Sequence, residues 1–258
     1  MAHGNTHHAA SHAAHSHGAH WDTSIWPFVI SFGILFALPL AFSFHFVYHQ
    51  PFVAVMMLGL GVPMILAGIA GWVSEAMGKG EGLSYGAMGW FILAEAMIFV
   101  SFFALYWFLR LAEPAWPPAG SVELPRVMPL VMTAVLVASS LTIHYAEHLL
   151  HLGDAGGFRK WLLLTIALGL CFLGMSAYEW THLMHEGFNI GTNVFGTFFF
   201  TITGFHGAHV IVGLAIFLAG LPAALGGRAS PGFMRTAGLY WHFVDIIWFF
   251  VVSQIYYW

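Results

Sequence analysis

Ionisable side chains inside apolar runs are the residues of this chain that could do chemistry, and Glu95 is the first of them. It lies in the run FILAEAMIFVSFF, near the middle of a hydrophobic segment. A charged carboxylate is costly in hydrocarbon, so the neutral, protonated acid is favoured there. Two interpretations stay open. Glu95 is either a protonated acid hydrogen-bonded to a neighbouring helix, or a group that handles protons or gates their passage.

A second set of polar side chains ends a later hydrophobic segment, at spacings that place them on one helical face. These residues are His144, Glu147, His148 and His151. The letters HYAEH also fit the H-x-x-E-H pattern of inverted zinc peptidases, in which two imidazoles bind Zn²⁺ and a Glu acts as base. Five letters are a weak signal, and a third ligand would have to come from elsewhere. The polar end of a helix that packs on neighbours or on another subunit is therefore favoured.

Two histidines one helical turn apart, His206 and His209, lie in the run TGFHGAHVIVG. Histidines on facing helices are frequent haem ligands in membrane cytochromes, which makes haem binding one interpretation. The glycines around them permit a close approach of helices. Hydrogen-bonded histidines in a tight helix bundle are the favoured alternative.

The last segment carries another pair, His242 and Asp245, also one turn apart and able to pair or to share a proton. Glu179, in the run AYEW, is a further carboxylate near the end of its segment. A retinal protein would need a buried lysine for its Schiff base. The only lysines, Lys79 and Lys160, lie between segments, so that class is excluded.

The elements that position these residues follow from the composition. The chain has 258 residues, of which 59% are hydrophobic and 7% are charged, against about 25% charged in an ordinary soluble domain. Such a chain cannot form the charged coat of a soluble enzyme or the basic face of a nucleic-acid binder, and it is too apolar to be disordered. The composition therefore predicts an integral membrane protein that crosses the bilayer several times.

Seven hydrophobic segments are long enough to cross a bilayer, which takes about 20 apolar residues each. They lie near 25–47, 53–73, 85–109, 128–151, 161–184, 194–220 and 236–257. Lipid offers no hydrogen bonds to the backbone, so each segment is predicted to be an α-helix.

Basic residues between the segments predict the orientation of the chain. One side of the membrane receives Lys79, Arg159, Lys160, Arg228 and Arg235, and the other side receives Arg110 and Arg126. The richer side is the inner one by the positive-inside rule. The N-terminus is therefore predicted to lie in the cytoplasm or matrix, and the C-terminus outside.

Residues 1–22 precede the first segment and contain seven of the 17 histidines, among Ala, Gly, Ser and Asn. A stretch with this composition has no apolar core, so we expect a disordered polar tail on the cytoplasmic side. Weak, adventitious metal binding by these histidines is the alternative interpretation.

Three stretches in the right order on the right segments resemble one known family. They are FILAEAMIFVSFFALYWF at 91–108, TGFHGAHVIVG at 203–213 and LYWHFVDIIWFFVVSQIYYW at 239–258. Over roughly residues 24–258 the chain resembles subunit III of the haem–copper respiratory oxidases of the cytochrome c oxidase type.

The resemblance implies an all-α integral membrane protein of seven transmembrane helices. Two N-terminal helices, at about 25–73, would be separated from a five-helix bundle, at about 85–257, by a lipid-filled V-shaped cleft. The chain would thus consist of the tail 1–22 and a membrane domain 23–258. Subunits of this family bind no haem and no copper, so the resemblance disfavours the haem and zinc interpretations of the histidines.

The resemblance also implies the role of a non-catalytic core subunit in a proton-pumping terminal oxidase. Subunits I and II of such a complex hold haem and copper, oxidise cytochrome c and reduce O₂ to water. Subunit III would pack on subunit I, support proton uptake, protect the active site and bind structural phospholipids. The chain would belong to an enzyme complex without a catalytic residue or metal of its own, and no nucleic acid is implied as a partner.

Particular residues acquire roles through the resemblance. Glu95 stands where the family places its carbodiimide-reactive carboxylate, and His206, His209 or His242 is expected as its hydrogen-bond partner. Structural or hydrogen-bonding roles are expected for His148, Glu179, His206, His209, His242 and Asp245. Lipid contacts are expected for Trp72, Lys79, Arg228 and Arg235, although the basic residue that the family usually carries beside this tryptophan is absent from the run WVSE.

Alternatives remain at this stage. The equivalent subunit of a quinol oxidase often lacks the first two helices, which this chain has, so cytochrome c is the favoured donor to the complex. An independent transporter would need several charges at mid-membrane depth, where Glu95 stands alone. The expected location is a bacterial plasma membrane, and the mitochondrial inner membrane is the alternative.

Overall fold

The structure is a computed structural model that describes residues 24–78 and 85–258, and all regular secondary structure within these ranges is helical. Seven helical stretches are long and apolar enough to cross a membrane. They are α1 (Trp26–Leu35, continued by π-helical turns Phe36–Leu40 and Ser43–Val47), α2 (Pro51–Gly78), α3 (Tyr85–Ala112), α4 (Val127–His151), α5 (Ala155–His185), α6 (Val194–Leu225) and α7 (Pro231–Val251, continued by the π-helical turn Val252–Tyr256). The seven predicted spans are confirmed. The tail 1–22 and Lys79 lie outside the described residues.

Helices α5 and α7 begin several residues before their hydrophobic segments do. The carboxylate of Asp154 accepts a hydrogen bond from the backbone N–H of Gly157, and the hydroxyl of Ser230 accepts one from the N–H of Phe233. These side chains satisfy N–H groups that the first turn of a helix leaves unpaired. The hydrophobic run marks the part of the helix within the membrane, whereas the polar cap marks where the helix begins.

Helices α1 and α2 form an antiparallel pair that is packed at van der Waals distance through glycines. A Cβ built on Gly61 would lie 2.6 Å from the carbonyl oxygen of Gly33 and 2.6 Å from the backbone nitrogen of Ala37. A larger residue at this crossing would push the two backbones apart. The pair joins the rest of the protein mainly through α2 and α6, and Ile69 and Val73 pack against the main core.

This attachment lies in the second half of α2, toward its C-terminal end. Val55, Met56 and Leu58, in the first half, are exposed. Helix α1 packs mainly on α2 and on its own π-helical continuation. The contacts match the predicted division into two N-terminal helices and a five-helix bundle, joined near one end.

Helix α7 lies at the centre of the five-helix bundle and contacts α3, α4 and α6. Of its span, 67% is buried, against 17% for each of the first three spans. The indole N–H of Trp241 donates to Ser139, and that of Trp248 donates to Thr133. Two large aromatic side chains of α7 thereby tie their polar edges to hydroxyl groups of α4, which leaves their carbon surfaces free to fill the core.

The connection between α3 and α4 packs across the end of the bundle. The side-chain amide of Asn193, the N-cap of α6, donates to the carbonyl of Ala119 and to the hydroxyl of Ser121. The ring of Trp116 lies edge-on between Tyr106 and Phe195, with ring centroids 5.5 and 5.7 Å away. These contacts fix the ends of α3 and α6 relative to each other.

Candidate functional site

Glu95 on α3 and His209 on α6 form a largely buried polar pair inside the bundle. Nε2 of His209 lies 3.1 Å from Oε2 of Glu95, and the two side chains are 11% and 20% exposed, respectively. Of His206, His209 and His242, the three candidate partners of Glu95, His209 is the one within hydrogen-bond distance.

The second ring nitrogen of His209 determines what the pair can do. Nδ1 lies 2.8 Å from the backbone carbonyl of Phe205. A carbonyl only accepts hydrogen bonds, so Nδ1 carries a hydrogen and donates it. Nε2 then accepts a hydrogen bond from a protonated Glu95 or, as part of an imidazolium, donates one to the Glu95 carboxylate. In both states one proton is shared between the partners and the pair has no net charge.

Aromatic rings enclose this pair. The rings of Phe99 and Phe205 lie 5.2 and 4.7 Å from that of His209, between centroids. The hydroxyl of Tyr240 on α7 donates to the backbone carbonyl of His209 over 3.3 Å. A hydrogen bond in such apolar surroundings is electrostatically stronger than in water, so the pair holds α3 against α6 as well as sharing a proton.

His206, one turn before His209, has a different environment. Its side chain is buried, and neither ring nitrogen has a hydrogen-bond partner among the described residues. The ring packs on Trp248 and Phe172, with centroids 5.0 and 5.8 Å away. In this part of the chain His206 therefore acts as an aromatic packing group.

A second polar cluster joins α4 to α7. The hydroxyl of Ser140 lies 2.9 Å from Nδ1 of His242 and also hydrogen-bonds to the carboxylate of Asp245. The predicted pair on α7 is thus bridged by a hydroxyl from α4. The ring of His144 lies beside that of His242, with 6.5 Å between centroids. We call Ser140, His144, His242 and Asp245 the α4–α7 polar seam.

Ser140, in the run VLVASSLTI of α4, is not among the residues that the sequence singles out. A helical serine usually bonds to a carbonyl of its own helix, so its residue type alone does not indicate a partner more than 100 positions away. The periodicity of α4 places Ser140 and His144 one turn apart on the same face. That spacing is the only signal in the sequence that could have pointed to this serine.

Glu179 on α5 is buried and pairs with the end of α7. The hydroxyl of Tyr256 donates to Oε2 of Glu179 over 2.7 Å. Oε1 of Glu179 has no hydrogen-bond partner among the described residues. Glu179, Trp180 and Thr203 line an apolar cavity of about 410 Å³ between α5 and α6. This carboxyl group connects α5 to the last turn of the chain.

The polar end of α4 does not form a metal site. Glu147 turns toward α7, and its carboxylate occupies the space that a Cβ at Gly238 would need, whereas His144 and His148 are exposed. No three His, Cys, Asp or Glu side chains of residues 24–78 and 85–258 are arranged to hold a metal ion. His148 has Tyr145 as its aromatic neighbour, with 6.4 Å between ring centroids.

Three of the four residues expected to contact lipid lie at one end of the described part of the molecule. Trp72 is in the last part of α2 and is 38% exposed. Arg228 follows the end of α6, and Arg235 lies in the first turns of α7; both are exposed. Because the ends of α2 and α6 and the beginning of α7 share one side of the bundle, these three residues share it too.

Comparisons with known proteins agree on one family. The family model described as Cytochrome c oxidase subunit III matches residues 17–258. A protein named Cytochrome c oxidase subunit 3 from Scyliorhinus canicula is 36% identical over 261 residues, covering 92% of this chain and 95% of the relative.

Two bacterial relatives match a shorter stretch. The Cytochrome c oxidase subunit 3 of Thermostichus vulcanus is 36% identical over 171 residues, which is 64% of this chain and 83% of the relative. The Probable cytochrome c oxidase subunit 3 of Nocardia farcinica is 38% identical over 180 residues, or 68% and 87% of the two chains.

Proposed function

The chain belongs to the cytochrome c oxidase subunit III family, and from this membership we propose that it is the non-catalytic core subunit III of a proton-pumping haem–copper terminal oxidase. The observation that carries the proposal is the extent of the match, which includes both N-terminal helices and the whole five-helix bundle. Haem and copper belong to partner subunits I and II, which oxidise cytochrome c and reduce O₂ to water.

The presence of α1 and α2 supports cytochrome c as the electron donor to the complex. Subunits of quinol oxidases that resemble this family often lack these two helices, and this chain has both. A quinol donor is the alternative. The donor site would lie on other subunits. Assays of the purified complex with cytochrome c and with quinol would therefore distinguish the two donors.

A supporting role in proton uptake agrees with the Glu95–His209 pair. One proton is shared between Oε2 and Nε2 across 3.1 Å, in apolar surroundings that exclude competing partners. The pair stabilises the contact of α3 with α6, and the metals of the proposed complex belong to other subunits. We therefore assign it to the stability and protonation of the subunit and not to the pumping route itself.

Phospholipid binding agrees with the shape of the N-terminal half. In each of the first three spans only 17% of the residues in the most apolar stretch are buried within this chain, so much of their apolar surface is left for acyl chains or partner helices. Headgroups would lie at the end that carries Trp72, Arg228 and Arg235, where tryptophan and arginine suit the polar interface. Lys79, outside the described residues, is the fourth residue assigned to this role.

The location we propose is a bacterial plasma membrane, with the N-terminus inside and the C-terminus outside. The helical topology puts Arg159, Arg228 and Arg235 on the side of the N-terminus, as the positive-inside rule requires. Mitochondrial relatives make the inner mitochondrial membrane the alternative location.

Purification in a mild detergent tests the proposed function. The chain should co-purify with two larger subunits, and the absorption spectrum of the preparation should show haem that is lost when those subunits are removed. Identification of the co-purifying proteins by mass spectrometry completes the test. A chain that purifies alone from aerobically grown cells, or that carries a haem band by itself, contradicts the proposal.

A further inference from the structure

Helices α5 and α6 enclose the cavity of about 410 Å³ at a place where α6 has no side chain to fill it. The ring of Trp180 on α5 closes one side, since a Cβ at Gly204 would lie 2.8 Å from its Cη2 atom. Three residues further along α6, a Cβ at Gly207 would have no atom within 4 Å. The cavity therefore exists because α6 presents a glycine where a larger residue would occupy the space.

This cavity runs from the surface of the bundle to a buried polar end. The lining residues Ala177, Ala208 and Ile211 are exposed. Glu179 and Thr203 also line the cavity but are only 4% and 7% exposed. Binding sites for small molecules have volumes of about 300–1,000 Å³ and mostly apolar walls, with a few polar groups that fix the orientation of the ligand. The shape suits a molecule with an apolar body and one polar group.

The hydrogen-bond donors that this chain places around the cavity are already in use. The hydroxyl of Tyr256 donates to Oε2 of Glu179 over 2.7 Å, and the indole N–H of Trp180 donates to the hydroxyl of Thr203 over 3.2 Å. The hydroxyls of Thr203 and Ser176 donate to carbonyls four residues earlier in their own helices. Oε1 of Glu179 is left without a hydrogen-bond partner among the described residues.

The free oxygen of Glu179 determines which polar group a bound molecule can present. An ionised Glu179 accepts a hydrogen bond at Oε1, whereas a protonated Glu179 donates one from Oε1, because Oε2 already accepts from Tyr256. A hydroxyl group both donates and accepts, so it pairs with Glu179 in either state. An ammonium group or an ester carbonyl suits only one of the two states.

Other occupants fit the cavity less well. Among the described residues that line it there is no Lys or Arg to bind a phosphate, and α6 contains none over its whole length. The cavity also lies toward the end of the bundle that holds the C-terminus, away from Trp72 and Arg228. Water needs two to four polar partners for each molecule, which walls of this composition do not supply.

We propose that this cavity binds an uncharged lipid with a free hydroxyl group, which places the hydroxyl on Glu179 and the hydrocarbon body along α5 and α6. Oε1 is itself covered by neighbouring atoms, so the carboxyl group must turn slightly toward the cavity to make this bond. The bond would relieve the cost of a buried carboxyl oxygen that has no partner. The site is separate from the phospholipid contacts proposed for Trp72, Arg228 and Arg235.

Photolabelling of the purified complex tests the site with a matched pair of probes. One probe is a long-chain alcohol that carries a diazirine in its chain, and the other is the corresponding alkane without the hydroxyl. The alcohol should label residues 173–180 and 203–211 about three- to tenfold more strongly than the alkane, as expected from the strength of one hydrogen bond in a membrane. Equal labelling by the two probes, or labelling confined to other helices, overturns the proposal.

Filling the cavity provides a control that changes no polar group. Gly207→Leu adds a side chain at the cavity wall and should abolish labelling of these residues by the alcohol. Gly174→Leu on α5 is the matched variant, because a Cβ there also meets no atom within 4 Å and Gly174 does not line the cavity. Labelling that survives Gly207→Leu, or that Gly174→Leu removes equally, contradicts the site.

A double variant tests the role of Glu179. Glu179→Leu combined with Tyr256→Phe removes both partners of their hydrogen bond, so neither is left buried and unpaired. The alcohol and the alkane should then label the cavity equally, and a preference that persists shows that Glu179 does not bind the hydroxyl. The label is read on this chain itself, so the result is distinct from whether haem–copper subunits co-purify with it.

Discussion

Gly213 of α6 faces the indole of Trp241 of α7 so closely that a Cβ at position 213 would lie 2.7 Å from the ring carbon Cε3. The indole has little freedom to retreat, because its N–H donates to Ser139 of α4 over 2.9 Å. One glycine and one tryptophan thereby set the spacing of three helices. The glycine lets the two helices come close, and the tryptophan ring fills the space between them.

Gly213→Ala should therefore destabilise the subunit by about 1–3 kcal/mol, as overpacked cores do. Gly207→Ala, six residues earlier on the same helix, is the matched control, because a Cβ there has no atom within 4 Å. Thermal denaturation of the two variants in the same detergent measures the difference. Equal melting temperatures would show that Trp241 moves away from an alanine at position 213 without loss of stability.

Glu95→Ala removes the hydrogen-bond partner of His209 Nε2 and should lower the stability of the purified complex by about 1–2 kcal/mol. The visible haem spectrum should stay the same, since Glu95 is not a metal ligand. Glu95→Gln retains an amide that can hydrogen-bond to the imidazole and is the control for stability. A haem band lost in either variant would refute this account of Glu95.

Tyr256→Phe should destabilise the end of the bundle that holds the C-terminus by about 1–3 kcal/mol, because Glu179 would then be buried with neither oxygen paired to a described residue. Tyr178→Phe on α5 is the control, since its ring is 65% exposed. Loss of α7 protection in hydrogen exchange measures the effect. Identical exchange in the two variants would mean that the 2.7 Å bond contributes nothing to stability.

Arg228→Gln should reduce the amount of phospholipid that co-purifies, because it removes a positive charge from the end of the bundle that carries Trp72 and Arg235. Arg126→Gln, at the opposite end, is the control with the same change of charge. Mass analysis of lipids extracted from the purified complex compares the two. A lipid content unchanged by Arg228→Gln and lowered by Arg126→Gln would reverse the assignment of the headgroup side.

Deletion of residues 1–20 should leave assembly intact. These residues precede the first span, and the family match begins only at residue 17. Co-purification of the truncated chain with its partner subunits is the measurement. Truncated chain that reaches the membrane but is found free of partners would show that the tail takes part in assembly.

The seven spans could be read from the sequence because each is a hydrophobic run of sufficient length, and membrane insertion depends on that property. The ends of the helices could not. Ala155 and Pro231 begin helices through the caps Asp154 and Ser230, which lie outside the apolar runs. The π-helical continuation of α1, which contains Pro39, has no hydrophobic signature that distinguishes it from α-helix.

The polar site was partly predictable for a similar reason. A carboxyl group in mid-membrane requires a partner, and few residue types can serve, so His209 was among three candidates for Glu95. The Ser140 bridge, and an imidazole of His206 that has no hydrogen-bond partner among the described residues, depend on how helices rotate about their axes. That rotation is set by the packing of whole faces, and no single motif encodes it.

Helices α1 and α2 are attached to the bundle near Val73, so a change in the tilt of α2 moves the end that is far from Val73 the most. From Val73 to the start of α2 at Pro51 is roughly 33 Å along the axis, so a tilt of about 5° moves the far end by roughly 3 Å. Transmembrane helices change tilt when the thickness of the bilayer changes. A change in that tilt would move Pro51 and the exposed first half of α2 relative to the five-helix bundle, whereas Ile69 and Val73 would stay packed on the core.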